Sequence, residues 1–471
     1  MAADGRVKKM NKERAKMSDA NSKQLSNMGE LQRDAAAHCI LPLTALSQSW
    51  DEGPVIYAQG SGAELVDAEG RTFLDMMSTH TRAASLGYGN EEIARAMYDQ
   101  ARTLHYIGTG ALLAPPTVRL ATKLAELAPG SLNKCMFVSG GSEAVETALK
   151  LAKQYQQAGP KPRAYKVISR WGAYHGSTMG ALSITDWLPV REVTDPRVPG
   201  NSFVAAPTCY RNPYGLDDEA FADVCVRHLE RQIQLEGPDA VAAFIGEPIM
   251  QANGVQIPPA NYWPQGREVC DRYGVLLIID EVITGFGRTG AWFAHERFGI
   301  EPDIMTCAKA LSAGYAPVGA VIASDKVADG IPYFRHIHTF SGHATCCAAA
   351  VAAIAIKERE GLIDRAWENG EYFLAELKTA LADHPIVGDV RGIGHWHAVD
   401  FTSDKASKAP FGDDTVKAIV KRMLSLGVIA SSIGTALEMA PPLIVSRADI
   451  DRAVETCARA VNEVARERGL H

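Results

Sequence analysis

"KCMFVSGGSEAVETALKLAKQYQQ", Lys134 to Gln157, passes from a short apolar run through four small residues into a helical pattern. Ala144, Val145, Ala148, Leu149 and Ala152 recur at three- and four-residue intervals, which puts them on one helical face. The apolar run returns in "YKVIS" (165–169), "VAAFIGEP" (241–248), "GVLLIIDE" (274–281) and "GAVIAS" (319–324), with helical segments between several of them. Strands apolar at consecutive positions are covered on both faces, and helical crossovers supply the cover. The pattern predicts an α/β domain around a mostly parallel sheet.

The flanks read differently. "PVIYAQGSGAELVDAEGRTFLDMMS" (54–78) has strand-like pieces broken by Gly-Ser-Gly and Ala-Glu-Gly turns, a small antiparallel unit. After Ala348 come a long helix, a strand near "GDVRGIGHWHAVDF" (388–401) and a last helix from Arg447. The expected organisation is an N-terminal arm over 1–40, a small α+β domain from 41–85 and 348–471, and a large domain over 86–347.

With 46% apolar and 22% charged residues, the 471-residue chain has an ordinary globular composition. A net charge of −7 argues against a broad phosphate-binding face, so no nucleic acid is expected as a partner. No apolar run reaches bilayer-spanning length, so no membrane insertion is expected. Nine cysteines without a C-x-x-C pair predict buried thiols in a reducing, cytoplasmic compartment. The opening stretch "MAADGRVKKMNKERAKMSDANSKQ" has no apolar core and does not read as a secretory signal.

Ligands of open α/β sheets gather at the carboxyl ends of the strands. There Ser139-Gly140-Gly141-Ser142 offers backbone N–H groups and a helix start to a phosphate, without the Gly-Lys-Ser/Thr ending of a nucleotide-binding P-loop. Asp280 closes the run "VLLIID" and needs a partner, either a cap or salt bridge or a protonated heterocyclic nitrogen. Lys309 sits in "MTCAKALSAGYAPVGAV" (305–321), with no further cation before Lys326. A free lysine is neutral only about once in a few thousand at pH 7, and desolvation or a cationic neighbour raises that fraction. "WGAYHG" (171–176) adds an aromatic, Tyr174, after a strand. A phosphate cup, a carboxylate, a buried lysine and an aromatic together suit pyridoxal 5′-phosphate.

At these residues the chain resembles the class-III (ornithine/omega-amino acid) aminotransferases, on the omega-transaminase-like branch. "IIDEVITGFGRTG" (278–290), "PDIMTCAKALSAGYAPVGAV" (302–321), "SGGSEAVETALKLA" (139–152), "YHGST" (174–178), "GEPIMQANGV" (246–255) and "HTFSGHATCCAAA" (338–350) carry the resemblance, in the family's order. It implies fold type I architecture and pyridoxal 5′-phosphate as cofactor. Lys309 would hold the cofactor as a Schiff base and shuttle the proton, and Asp280 would pair with the ring nitrogen. Gly141 and Ser142 would hold the phosphate, Tyr174 and Val282 would flank the ring, and His175 and Glu247 would complete the cofactor site. Thr339 would reach the phosphate of a neighbouring subunit, which implies a homodimer with shared sites, with a tetramer as a larger assembly.

Three departures bear on the substrate. Glu438, in "ALEMAPPLIVS" (436–446), stands where related enzymes clamp an α-carboxylate with arginine. Ala252 replaces that arginine's glutamate partner, and Ser431 falls where omega-transaminases carry a mobile arginine. Arg82, in "STHTRAASLGYGN" (78–90), occupies the place of a substrate-side tryptophan. It reads either as an anion clamp or as a surface or interface arginine. As an anion clamp it would take the 2-oxo acid, while Glu438 would favour cationic donors and repel the distal carboxylate of 2-oxoglutarate.

His395 and His397 lie two apart and share a strand face like a metal-ligand pair. No cysteine or further histidine joins them at metal spacing, so they read as strand positions and no metal is expected. His338 is a candidate to line the site. The expected reaction moves an amino group from a primary amine or omega-amino acid to a 2-oxo acid, with pyruvate first. The competing enzyme class is a phospho-lyase on an amino-alcohol phosphate; a binding protein without activity is disfavoured, because every cofactor position is present.

Overall fold

The computed structural model describes residues 28–44 and 54–470, apart from 109, 160, 193–194, 253 and 412. Most of the expected N-terminal arm lies outside the described residues; Met28–His38 is a helix. The flank over 54–78 forms an antiparallel meander of β1 (Tyr57–Ser61), β2 (Glu64–Asp67) and β3 (Thr72–Asp75).

Seven strands form the main sheet: β4 (Leu132–Val138), β5 (Lys166–Arg170), β6 (Asn201–Val204), β7 (Val241–Gly246), β8 (Leu276–Asp280), β9 (Ile304–Cys307) and β10 (Gly319–Ser324). Their spatial order is β4-β10-β9-β8-β7-β5-β6. All neighbours run parallel except β10, which is antiparallel to both β4 and β9. Every residue of β7 to β10 is buried, because both faces are covered. Alternate residues go to opposite layers. Ala243, Ile245, Leu276 and Ile278 pack under helix α1 (Gly141–Ala158), against Ala144, Val145 and Ala148. Phe244, Leu277 and Ile279 face the other way, against Phe221 and Trp263. Each large side chain so buried contributes roughly 1.5–3 kcal/mol.

Helix α2 (Ala344–Arg359) follows. Its Cys347, Ala350 and Ile354 pack with Leu120 and Leu124, and its Ala349, Ala353 and Ile356 with Ile93. The boundary expected at 348 thus falls inside this helix, which packs on Leu120, Leu124 and Ile93 before it and on Leu362, Ala366 and Leu443 after it. Helix α3 (Leu362–Leu381) then leads to a second sheet built from β11 (Val387–Ile393), β12 (Trp396–Asp404) and two strands further on. The sequence suggested one strand at 388–401; the structure has a hairpin, turning at Gly394-His395. A short β13 (Ala409–Pro410) pairs with β12, and β14 (Val428–Ile429) runs parallel to β3, so chain ends some 350 residues apart share one sheet. β15 (Ser431–Ile433) and β16 (Ala436–Met439) complete the second sheet, and helix α4 (Arg447–Glu467) closes the described chain.

His395 and His397 are buried, and each donates one ring N–H to a carbonyl: His395 Nδ1 to Pro442 at 3.3 Å and His397 Nε2 to Gly370 at 3.1 Å. Their second nitrogens are buried without partners. Among the described residues no cluster of ligands could hold a metal ion. Burial, with the Arg288 charge nearby, pushes both rings down to about 3. Their folded values lie below the unfolded one, so they cost nothing above about pH 6.5 and destabilise the fold as pH falls from there towards 3. Lowering the pH from 7.5 to 5.5 should remove about 2–3 kcal/mol through this pair, measured by urea unfolding. A flat stability profile over that window would show that the rings are not held neutral.

Candidate functional site

Five strand ends converge on one cavity of about 410 Å³. β4 runs through Gly140 into α1, and β5 into the loop carrying Tyr174 and His175. β7 ends before Glu247, β8 on Asp280, and β9 just before Lys309. Gly141, Ser142 and Val282 line the same cavity, and Arg82 reaches it from the N-terminal flank.

Asp280 is held from three directions. His175 Nδ1 lies 2.7 Å from Oδ2, while Thr306 Oγ1 and the Val282 N–H each donate to Oδ1 at 3.1 Å. A carboxylate has about four lone-pair positions, so one is left for a donor in the cavity. Glu247, expected to complete the cofactor site, spends its carboxylate on backbone N–H groups. Its Oε1 accepts the Tyr174 N–H at 3.0 Å and its Oε2 the Gln251 N–H at 2.9 Å, which ties two cavity loops together. Burial pushes its carboxyl up.

At the opposite end, α1 begins with Gly140 at its cap and no side chain accepting its first N–H groups. Those groups are free for an anion. The wall is too tight for larger residues: a Cβ on Gly141 would lie 2.8 Å from Val282 Cγ1. Gly176 has φ +134°, and a Cβ there would lie 2.6 Å from Ser142 Oγ, which itself accepts the Ser177 N–H at 3.1 Å. Tyr174 is fixed by its hydroxyl, 3.0 Å from Ser177 Oγ, and by edge-on packing against Trp187.

Lys309 opens a three-residue turn, Lys309–Leu311, with φ +46°, a conformation that costs a non-glycine residue of order 1–3 kcal/mol. Its Nζ makes no hydrogen bond with any described residue. Burial first, and then the positive charge of Arg82, push it down to about 7, against the pull of Asp280, Glu247 and Glu438. A neutral amine is therefore well populated at physiological pH.

Arg82 and Glu438 depart from the reading that gave them separate roles. Arg82 Nε donates to Glu438 Oε1 at 2.6 Å and Nη2 to Oε2, a two-pronged pair. Trp396 Nε1 donates to the same carboxylate, and its ring lies 5.9 Å from the guanidinium. Glu438 is fully buried behind Arg82 and does not line the cavity. Its charge is compensated, so the expected repulsion of 2-oxoglutarate loses its physical basis. The segment that carries Arg82 is strained, with φ +42° at Ser78, +40° at Thr79, +56° at His80 and +63° at Arg82. It is pinned by Asp75, which accepts the Thr79 N–H at 2.8 Å, and by Arg288, which donates to Ser78 Oγ at 3.0 Å.

Thr339 is exposed and lies outside the cavity, its carbonyl accepting the Tyr106 hydroxyl at 3.0 Å. His338 lines a different, larger cavity with Leu113 and Ile337. Sequence reasoning missed Thr306, Gln251 and Trp187. Thr306 lies opposite Asp280 on the neighbouring strand, a register set by the sheet; the other two sit on loops without a pattern.

The profile of the class-III aminotransferases matches residues 46–461. The chain is 38% identical to a diaminobutyrate–2-oxoglutarate transaminase of Halomonas elongata, over 86% of this chain and 89% of that one. It is 34% identical to a putrescine–pyruvate aminotransferase of Pseudomonas aeruginosa, over 91% and 95% respectively. The structure superposes on the omega transaminase of Pseudomonas jessenii in complex with PMP with a TM-score of 0.90, at 35% identity, covering 93% of this chain and 99% of that one.

The Lys309 environment sets a test. In the cofactor-free protein, modification of Lys309 by an amine-reactive reagent should rise about tenfold per pH unit up to about 7 and level off above it. Mass spectrometry of the Lys309 peptide reads the rate. A rise that continues to pH 10 would mean an ordinary lysine.

Proposed function

The chain belongs to the class-III aminotransferase family, and we propose that it transfers an amino group from a primary amine or omega-amino acid to a 2-oxo acid, pyruvate in the first place. Its fold is fold type I, and the family's cofactor is pyridoxal 5′-phosphate. The phospho-lyase alternative gains no support from the aminotransferases reported above.

The observation that carries the reading is the buried, unbonded amine of Lys309 in one cavity with Asp280 and the open start of α1. The cavity fits the cofactor: one free acceptor position on Asp280, an uncapped helix start, and glycines where a Cβ would collide. Pyridoxal 5′-phosphate, when bound, supplies the electron sink and carries the amino group between the two half-reactions. Asp280 would keep its ring nitrogen protonated, with His175 and Thr306 orienting the carboxylate. The α1 N–H groups and Ser142 would hold the phosphate, and Tyr174 and Val282 would flank the ring. Lys309 Nζ would hold the cofactor and then, when released, carry the proton to and from the substrate Cα.

Arg82 is the one cation besides Lys309 among the described lysines and arginines lining the cavity. Glu438 takes its Nε–Nη2 edge, which leaves Nη1, otherwise 3.4 Å from the His80 carbonyl, to meet an acceptor carboxylate. A single cation suits a monocarboxylate such as pyruvate.

A homodimer with shared sites, or a tetramer of such dimers, is proposed from the surface around Thr339. Ile337 is 76% exposed, Tyr333 71% and Leu113 65%, an apolar area that a second copy would cover. Thr339 would then reach the partner's phosphate. A cytoplasmic location is proposed from the nine cysteines, all free thiols.

Three outcomes test these assignments. Lys309→Ala should abolish turnover, and Asp280→Asn should lower kcat by at least about 100-fold, roughly 2.7 kcal/mol of transition-state stabilisation. A few-fold loss in either would remove that residue from the chemistry. Arg82→Ala alone leaves Glu438 buried and unpaired at a cost of about 3–5 kcal/mol, so the acceptor test uses the double variant Arg82→Met/Glu438→Met. It should lose about 10- to 100-fold in kcat/KM for pyruvate and little for an uncharged aldehyde. Equal loss for both acceptors would place the anion site elsewhere.

A further inference from the structure

A second lysine lies against the Lys309 turn. Lys357, in the last turn of α2, is fully buried, and its Nζ donates to the Ala310 carbonyl. The Phe286 ring lies 5.5 Å from that nitrogen. No carboxylate among the described residues pairs with it, and the charge that acts on it, Arg288, has the same sign. A methionine or leucine would fill this position without the cost of desolvating an amine.

The turn it touches is strained and lightly held. Lys309 has φ +46° and Ala313 φ +55°, two non-glycine residues in left-handed conformation within five. The backbone supplies Leu311 N–H to Ala308 at 2.9 Å, Ser312 N–H to Lys309 at 3.3 Å and Ala313 N–H to Ala310 at 3.2 Å. Lys357 adds the side-chain donor to the middle of this turn, on the carbonyl next to Lys309.

We propose that Lys357 is a positioning residue, whose buried amine holds the Ala310 carbonyl and thereby aims Lys309 Nζ into the cavity. It does not itself reach the cavity, whose lining does not include it. Burial, and then Arg288, push Lys357 down to about 7, so at neutral pH its charged and neutral forms are both populated. Both forms bond a carbonyl, the charged one more strongly. The stability lost in burying it is exchanged for the orientation of the reactive amine.

This inference rests on the reading of Lys309 as the amine that takes the cofactor. The test uses the full chain, stripped of cofactor, mixed with pyridoxal 5′-phosphate and quenched with borohydride at timed intervals. Mass spectrometry follows the reduced adduct on the Lys309 peptide. Binding of 4′-deoxypyridoxine 5′-phosphate, which lacks the aldehyde, is measured beside it. A displacement of about 1 Å in a reacting group costs on the order of 100-fold, so Lys357→Met should slow trapping by about 10- to 100-fold. The aldehyde-free analogue should bind as in the parent, and Tm should be unchanged or higher. Lys357→Gln, with a shorter neutral donor, should fall between the two. Trapping at the parent rate overturns the proposal, and so does a Lys357→Met protein that is unfolded or markedly less stable, since the lysine then serves the fold. If the parent protein binds the analogue but never traps at Lys309, the cofactor assignment fails, and this inference fails with it.

Discussion

A lysine amine inside a protein has to be kept neutral or given a counter-charge, and the centre of this structure is arranged around the first choice. Lys309 is pushed down to about 7 by burial and by Arg82. Arg82 is itself nearly buried, so it requires Glu438, and Glu438 requires the Trp396 N–H. Those residues come from a strained N-terminal segment and two strands of the second sheet. One desolvated amine thus couples three distant parts of the chain, and a change at any of them alters its proton affinity.

The parallel sheet supplies the rigid half of the arrangement. Because β5, β7, β8 and β9 run the same way, the residues that follow them gather at one edge. Asp280 and Thr306 are register partners on adjacent strands, so the bond between their side chains follows from the sheet itself. Glu247 then fixes the loops by accepting backbone N–H groups, which makes it a brace for Tyr174 and Gln251. The softer half is the set of strained turns at 78–82 and 309–313, each held by buried side chains from elsewhere: Asp75 and Arg288 for the first, Lys357 for the second.

Much of this was legible in the sequence, for reasons that are local. The strand–turn–helix at 134–157 announces itself through a change of apolar period, and the five residues that the pattern selects are all buried in α1, joined by Thr147, Leu151 and Gln156. Gly141, Asp280 and Lys309 stand out because small residues, a strand-closing carboxylate and an isolated cation each break the pattern around them. The hairpin at Gly394 was missed because "GIGHW" lacks a strong turn dipeptide, and the continuity of the helix through 348 was missed because an alanine-rich run carries no sign of where it starts or which neighbours it will choose.

The alternation of elements, the sheet that results from it and the family of the motifs follow from the order of residues along the chain. These depend on hydrophobic periodicity and short-range spacing, which are written along the chain. Folding brings Arg82 and Glu438, 356 residues apart, into one buried ion pair. Folding also decided that Glu247 braces loops and that Lys357 reaches the carbonyl beside Lys309. Charge pairing in the interior depends on distance and on water exclusion. Neither is set until strands such as β3 and β14 bring the two ends of the chain together.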